Sequence, residues 1–564
     1  MYANNNGNVG IAIGNNGAVT LKNVRANDNA DGGASINTCN SNPCTYTGAV
    51  TVSDSTFLSN DGVFDDPGLY ISANGIISLT NVDVSSNGSV THTIRGAWLI
   101  NNVSPSVGTV TTSSSTFNNN YDDGLEILSK GNVTLNNITA LSNHGQGADI
   151  VNTYGIGNVT ITGGDFESND TDGLYVQSHG SITFNGPASG NSLAYSNGMT
   201  GSGVGVYLEN FTVTTPKPVA VTKLETAQNA GIGLYIATRG IITLDSINAH
   251  DNTGSGSDGV YINGNGVATN VVVNTSKGPN YFSNNDGKGL HIFNNIGSLT
   301  LNNVYAQGNA EQGVYVHSGS SSATTINNGY FSDNGYEGIS ITTLGVITLN
   351  GGYANSNGTA GVYHGANLVN DSSISPTPVN VSKFEFSDNT GYGLWVSSQG
   401  AITLNHVTAE SNKGSFGIRL CNNNSFSSPV SVLSTLGLNE INFNYNDQLG
   451  IESYGLVTVN GVVIDGTGTS GYGIDINNVT PSMPTTILPT NVSLSNDTVS
   501  HTLFTGIRIA TKGNVTFTNV KSNYTGNVIH ASTGADITVT ATTTLKTVTI
   551  TGGNSIITLG MAWM

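Results

Sequence analysis

The sequence predicts an all-β fold, a right-handed parallel β-helix (β-solenoid) of roughly 19 coils in a two-coil repeat of about 55 residues. It is expected to run as one continuous domain over residues 1–564. Three observations predict it: a strand-like phrase that returns along the chain, an asparagine at one corner of each coil, and a core position that alternates Phe with Ala.

The phrase reads GAVTLKNVRANDN from Gly17, GNVTLNNITALSN from Gly131, GIITLDSINAHDN from Gly240, GSLTLNNVYAQGN from Gly297 and GAITLNHVTAESN from Gly400. Within it Val and Leu alternate with Thr, the period-2 pattern of a strand with one buried face. A second strand follows each phrase, as in Gly68-Leu69-Tyr70-Ile71, Gly233-Leu234-Tyr235-Ile236 and Gly393-Leu394-Trp395-Val396. Gly and Asn tolerate the left-handed backbone of tight corners, so each coil carries two or three short strands joined at Gly/Asn corners.

Aligned on one corner, the coils show a row at Asn29, Asn60, Asn87, Asn120, Asn143, Asn169, Asn197, Asn229, Asn252, Asn285, Asn309, Asn334, Asn357, Asn389, Asn412 and Asn446, continued by Thr467, Thr502 and Thr525. Stacked at about 4.8 Å, side-chain amides hydrogen-bond along the axis and satisfy polar groups that a buried corner would strand. The row reads as structural, because neutral amides without carboxylates at fixed spacing are poor metal ligands. Three residues earlier the core position runs Phe117, Ala140, Phe166, Ala194, then Phe282, Ala306, Phe331, Ala354, Phe386, Ala409 and Phe443. Large and small residues in successive coils interdigitate, which makes the repeat a pair of coils. The longer coil of each pair carries its extra residues at one corner, in NNVSPSV from Asn101, ENFTVTTPKP from Glu209, GANLVNDSSISPTP from Gly365, CNNNSFSSP from Cys421 and NNVTPSMPTTILP from Asn477. Pro and Ser mark these as surface loops along one edge.

Composition narrows the function classes. The formal net charge of -19 repels nucleic-acid phosphates and anionic membranes, so neither is an expected partner. No apolar run of about 18 residues is present to span a membrane. The start, Met1-Tyr2-Ala3-Asn4, lacks a basic-then-apolar leader, as in a processed chain or a fragment. Cys39 and Cys44 are close enough in sequence for a local disulfide, and Cys421 has no evident mate. Sequons such as those at Asn137 and Asn210 arise by chance in a chain this rich in Asn and Thr and carry no weight.

The repeated phrase, its turn Asn and the Gly-Ile/Leu-X-Ile strands resemble the right-handed parallel β-helix superfamily of pectate-lyase-like and parallel β-helix repeat proteins, over nearly the whole chain. The resemblance implies fold rather than function, since the superfamily includes lyases, hydrolases, epimerases, tailspikes and surface adhesins. A lyase of that kind implies an Arg or Lys base beside calcium-binding carboxylates. Here Lys130, Arg239 and Lys512 share their slot with His179, Ile296, Leu344, Gln399 and Tyr454, which reads as a solvent-facing repeat position. The Asn-Thr-Asp, Gly-His-Gly and Arg-Ile-Lys set implied by a polygalacturonase-like hydrolase is not found, and His144-Gly145-Gln146-Gly147 is no substitute. Paired carboxylates at Asp65-Asp66, Asp122-Asp123 and Asp170 with Asp172 could serve glycoside hydrolysis or hold calcium, but their position before a strand suits turn capping. No catalytic residue is assigned; calcium is the one possible ion.

The candidate binding site is an outward stripe between the buried aliphatics of the second strand: Tyr70, Trp98, Tyr175, Tyr207, Tyr235, Tyr261, His291, Tyr315, Tyr363 and Trp395. An exposed aromatic patch suits sugar rings or a partner, while in-register aromatics also stabilise neighbouring strands. The same slot is charged at Glu126 and Asp149 on one side and at Arg419, Glu452, Asp475 and Arg508 on the other, which bounds the patch. Neither end reads as a cap, so head-to-tail self-assembly into a filament, or membership of a larger surface protein, is expected. The functional expectation is a noncatalytic extracellular or cell-surface solenoid, structural or adhesive, in contact with itself, neighbouring surface proteins or glycans. A polysaccharide lyase or glycoside hydrolase, and a glycan-binding module using the Tyr/Trp stripe, are the alternatives.

Overall fold

The computed structural model describes residues 1–38, 47–102, 108–210, 215–264, 269–294, 296–372, 375–422, 427–434, 441–444, 448–467, 473–478, 490–502, 506–511, 513–523, 535–539 and 548–551. Cys39, Cys44, Asn446, Lys512 and Thr525 lie outside the described residues. The chain is all-β, a parallel β-solenoid of about 16 turns whose two main parallel sheets fit a right-handed β-helix. The sequence count of roughly 19 coils included the region after residue 523, most of which is outside the described residues. Two compact units are present, Met1–Phe293 and Asn294–Met564. Among the described residues no helix is long and apolar enough to cross a membrane.

In the first unit, sheet I takes the phrase strands and sheet II takes the Gly-Leu-X-Ile strands. Val133–Leu141 pairs in parallel with Val159–Glu167, matching Val133 to Val159 and Ala140 to Phe166. Ala148–Asn152 pairs in sheet II with Leu125–Ser129 before it and Leu174–Ser178 after it. The second unit repeats the plan: Thr324–Ser332 pairs with Ile347–Asn355, and Ala366–Asn370 with Leu394–Ser398. It also holds a four-stranded sheet of Ile441–Asn444, Val462–Thr467, Thr498–Thr502 and Lys521–Asn523.

Two left-handed residues shape each regular coil. One lies within the phrase, as at Asn137 (φ 48°) and Asn328 (φ 50°), and turns the strand between its two halves. The other immediately precedes the corner Asn, as at Ser142 (φ 56°), Ser168 (φ 57°) and Asp333 (φ 58°). Ser, Asp and Asn are used there because short polar side chains tolerate this region better than branched ones.

The corner row forms the expected ladder. Asn143 donates from Nδ2 to Asn169 Oδ1 at 2.9 Å and from its backbone N to the same oxygen at 3.0 Å, and its second Nδ2 proton goes to Phe117 O at 2.9 Å. Asn169 repeats this toward Asn197, and Asn252 toward Asn285. In the second unit the links run Asn309 to Asn334, Asn357, Asn389 and Asn412. Asn143, Asn169, Asn334, Asn357 and Asn389 are each saturated as donor and acceptor, the condition for burying an amide. The Gly that opens each sheet II strand is fixed by the same row: a Cβ on Gly147 would lie 2.8 Å from Asn169 Nδ2 and 2.4 Å from Gly173 O.

The core alternation holds. Phe117, Ala140, Phe166 and Ala194 are fully buried, and the register continues through Thr226 and Ala249 to Phe282. Ala306, Phe331 and Ala354 align in the second unit. In some coils the residue two before the core position compensates, since Ile138 accompanies Ala140 whereas Gly164 accompanies Phe166 and lies against its ring; in another, Phe384 and Phe386 are both buried and stacked. Where it compensates, volume is balanced within the coil as well as between coils.

Candidate functional site

In the first unit the outward row of sheet II runs in register as Ser35, Tyr70, Trp98, Glu126, Asp149, Tyr175, Tyr207, Tyr235, Tyr261 and His291. Glu126 and Asp149 therefore interrupt the aromatic row rather than end it, a correction to the expectation that they bound the patch. Chain order already implies this, because Tyr70 and Trp98 precede the two acids and Tyr175 follows them.

The tyrosines form a stack. Ring centroids are 4.7 Å apart for Tyr175 and Tyr207, 4.5 Å for Tyr207 and Tyr235, and 5.3 Å for Tyr235 and Tyr261, with interplanar angles of 19°, 7° and 4°. Their faces cover one another, leaving ring edges and hydroxyls outward. Tyr207 donates its hydroxyl to Glu209 Oε2 at 2.7 Å. Burial, followed by the charge of Glu209, pushes the Tyr175 phenol up to about 12. The face of this stack is a strengthening ladder; the edge is polar.

Beside the acidic step lies a second row, in the slot two residues before each strand: Arg95, Asp123, Gln146 and Asp172. Asp123 Oδ1 accepts the Gln146 backbone N–H and Asp172 Oδ1 the Val204 backbone N–H, both at 2.7 Å. The capping expected of these aspartates is present, although each caps the following coil rather than its own turn. Arg95 pairs with Glu126 and lies 4.9 Å from the Trp98 ring centroid. Five ionisable groups, four of them acidic, thus share the ground between Trp98 and Tyr175. Burial first, then the charges of Asp123 and Glu126, pushes Asp149 up to about 7. Burial and the neighbouring Asp122 push Asp123 up to about 6. Glu126 and Asp172 are raised as well, both chiefly by burial. Besides the ion-paired Arg95 Nε and Glu126 Oε2, three buried polar atoms here make no hydrogen bond: Trp98 Nε1, a donor, and Gln146 Oε1 and Asp149 Oδ1, acceptors.

In the second unit the outward row is Tyr315, Ser340, Asn367, Trp395, Arg419, Gly450, Asp475 and Arg508. Tyr363 is not in it; Asn367 holds that slot, and Tyr363 lies in the preceding turn, stacked on Tyr336 at 4.5 Å. The longer turn shifts the strand start by four residues, which the aliphatic spacing alone does not reveal. Glu452 is also displaced, since Gly450 faces Arg419, though Glu452 still pairs with Arg419. Trp395 is in the row, 38% exposed, with His364 and Tyr392 beside it. The slot read as solvent-facing is only partly so: Ile296 and Tyr454 are buried.

Sequence reasoning missed a cluster on sheet I, where Glu225 accepts from Tyr195 and Asn191 and contacts His250 Nε2 at 3.3 Å, while His250 Nδ1 meets Asp251 at 2.7 Å. Its members come from three coils, so spacing gave no signal. Among the described residues no group of three His, Cys, Asp or Glu side chains is arranged to hold a metal ion.

Fold and ladders define the class: a parallel β-solenoid repeat protein with an asparagine ladder of stacked side-chain hydrogen bonds. No protein-family model matches the chain, nor does any curated protein.

Proposed function

We propose that this is an extracellular adhesive β-solenoid that contacts glycans through the acidic–aromatic strip of Trp98, Glu126, Asp149 and Tyr175, the coils serving as a rigid scaffold. The observation that carries this reading is the in-register row of Trp98, Glu126, Asp149 and Tyr175 on the outward face of sheet II, two aromatic side chains flanking two carboxyl groups. Carboxyl oxygens accept from sugar hydroxyls and the Tyr175 hydroxyl donates to sugar oxygens, so a ligand whose hydroxyls both donate and accept suits this strip. Aromatic edges and faces at both ends supply apolar contact for sugar C–H surfaces. The negative strip favours neutral or amino sugars over uronates or sulfated glycans.

A second reading, glycoside hydrolysis, is favoured by one further observation. A glycosidase pairs a protonated with an ionised carboxyl, and Asp149 and Asp123, raised to about 7 and about 6, straddle that condition near neutrality. Binding of the protein to a panel of neutral, amino and acidic polysaccharides, followed by reducing-end assays, tests both. Trp98→Ala with Tyr175→Ala is expected to weaken binding at least about tenfold, and unchanged binding would reject the strip. Reducing ends released by the native protein but not by Asp149→Asn would establish the enzyme reading; no release leaves adhesion.

A further inference from the structure

A second buried polar column runs along the corner where the long loops leave the solenoid, at the last position of the sheet II strands. Its members alternate in register: Asn101 with Ser129, Asn152 with Ser178, Asn370 with Ser398, and Asn422 with Ser453. All eight side chains belong to residues no more than 1% exposed.

The orientation of each Asn amide is fixed by its surroundings. Asn101 Nδ2 donates to Gly75 O at 2.7 Å and Asn152 Nδ2 to Gly157 O at 2.6 Å. Asn370 Nδ2 donates to Thr377 O at 2.9 Å and Gly345 O at 3.1 Å, and Asn422 Nδ2 to Ser428 O at 2.6 Å. Rotating any of these amides would set oxygen against a carbonyl, so Nδ2 must stay where it is and Oδ1 must face the other way. In all four, that Oδ1 is buried and accepts no hydrogen bond.

The following coil explains the shortfall. At Asn210 the Thr238 hydroxyl of the following coil donates to Oδ1, whereas at Asn478 the Thr511 hydroxyl goes to Thr490 O and Oδ1 is met by the Thr490 hydroxyl instead, at 3.5 Å. Where it supplies a serine, the hydroxyl is drawn to a carbonyl instead: Ser178 Oγ to Gly157 O at 3.2 Å, Ser129 Oγ to Gly131 O at 3.3 Å, Ser398 Oγ to Gly400 O at 3.4 Å. A serine lacks the methyl group that restricts the threonine rotamer. Four engaged donors and four empty acceptors in equivalent places are a repeated feature of the fold, and a buried amide oxygen left empty is disfavoured by about 1–3 kcal/mol.

We infer that each Asn–Ser step of this column is a binding site for one internal water molecule, which donates to the Asn Oδ1, whereas the Asn210–Thr238 step binds none. The waters sit beneath the loop bases, and the Asn side chains that hold them also clamp the loops, Asn370 to Thr377 and Asn422 to Ser428. Loop sequence can then change without disturbing the coil below it.

A high-resolution crystal structure of the intact protein, together with a count of long-lived internal waters by magnetic relaxation dispersion, tests this. Ordered water within hydrogen-bonding distance of Oδ1 at Asn101, Asn152, Asn370 and Asn422, and none at Asn210, is the expected result. A serine hydroxyl turned onto Oδ1, or density with the short multiple contacts of a cation, would overturn the inference. Ser178→Thr with Ser398→Thr introduces the residue already used at position 238 and should lower the internal-water count by two while the protein stays folded. An unchanged count in a folded variant would equally overturn it.

Discussion

Asp149 carries the largest electrostatic strain on the candidate strip, because it is half-buried beside Asp123 and Glu126 with only Arg95 to offset three negative charges. Folding raises its pKa from 3.8 to about 7, so the folded state holds the proton more tightly than the unfolded chain. The stabilisation this gives is complete below about pH 4 and is lost as pH rises through about 7. Asp149→Asn removes the charge while keeping the shape. At pH 8 it is expected to stabilise the protein by roughly 1–3 kcal/mol, and near pH 4 to have little effect, as read by urea unfolding across that range. Equal effects at both pH values would mean that the carboxyl is not held protonated by the fold. The same residue shows what the sequence reveals and conceals. Its outward position follows from the alternation in Ala148-Asp149-Ile150, but its neighbours Asp123 and Arg95 come from other coils and are assembled only by the register.

At the scale of the strand pair, the core depends on two coupled positions. Gly329 lies two residues before Phe331 in Thr324–Ser332, and a Cβ there would approach the Phe331 ring to 2.4 Å. Phe331→Ala is expected to destabilise by about 3–5 kcal/mol through the cavity it leaves between Ala306 and Ala354. Gly329→Val alone should also destabilise, by overpacking, by about 1–3 kcal/mol. In the Phe331→Ala background the same valine should instead recover part of the loss. A double-mutant cycle by thermal unfolding checks the change of sign, and additive effects would show that the two sites do not share one volume. The Phe/Ala alternation was legible from the corner alignment. The compensating Gly was not, because its role is set by which way the aromatic ring lies across the strand.

At the scale of the whole molecule, stability is distributed coil by coil, each coil contacting its neighbours in the stack. The Asn ladder makes the coupling explicit: Asn169→Ala removes the oxygen that accepts both donors of Asn143 and the amide that serves Asn197. A loss on the order of 3 kcal/mol is expected, concentrated locally. Hydrogen exchange should quicken across residues 133–209 of the first unit and stay slow around Leu21 and Val52, several coils away. Uniform acceleration throughout that unit would indicate all-or-none unfolding instead. The sequence by itself determined the all-β solenoid, the ladder and the alternating core, because these follow from period-2 alternation and from one residue type recurring at one corner. Only the tertiary structure decided that Tyr363 lies outside the aromatic row, that the tyrosine faces cover one another, and that a second polar column leaves four amide oxygens unmet. The physical reason is that spacing along a chain fixes which face a side chain takes, whereas turns of unequal length set which residues of separate coils stand side by side.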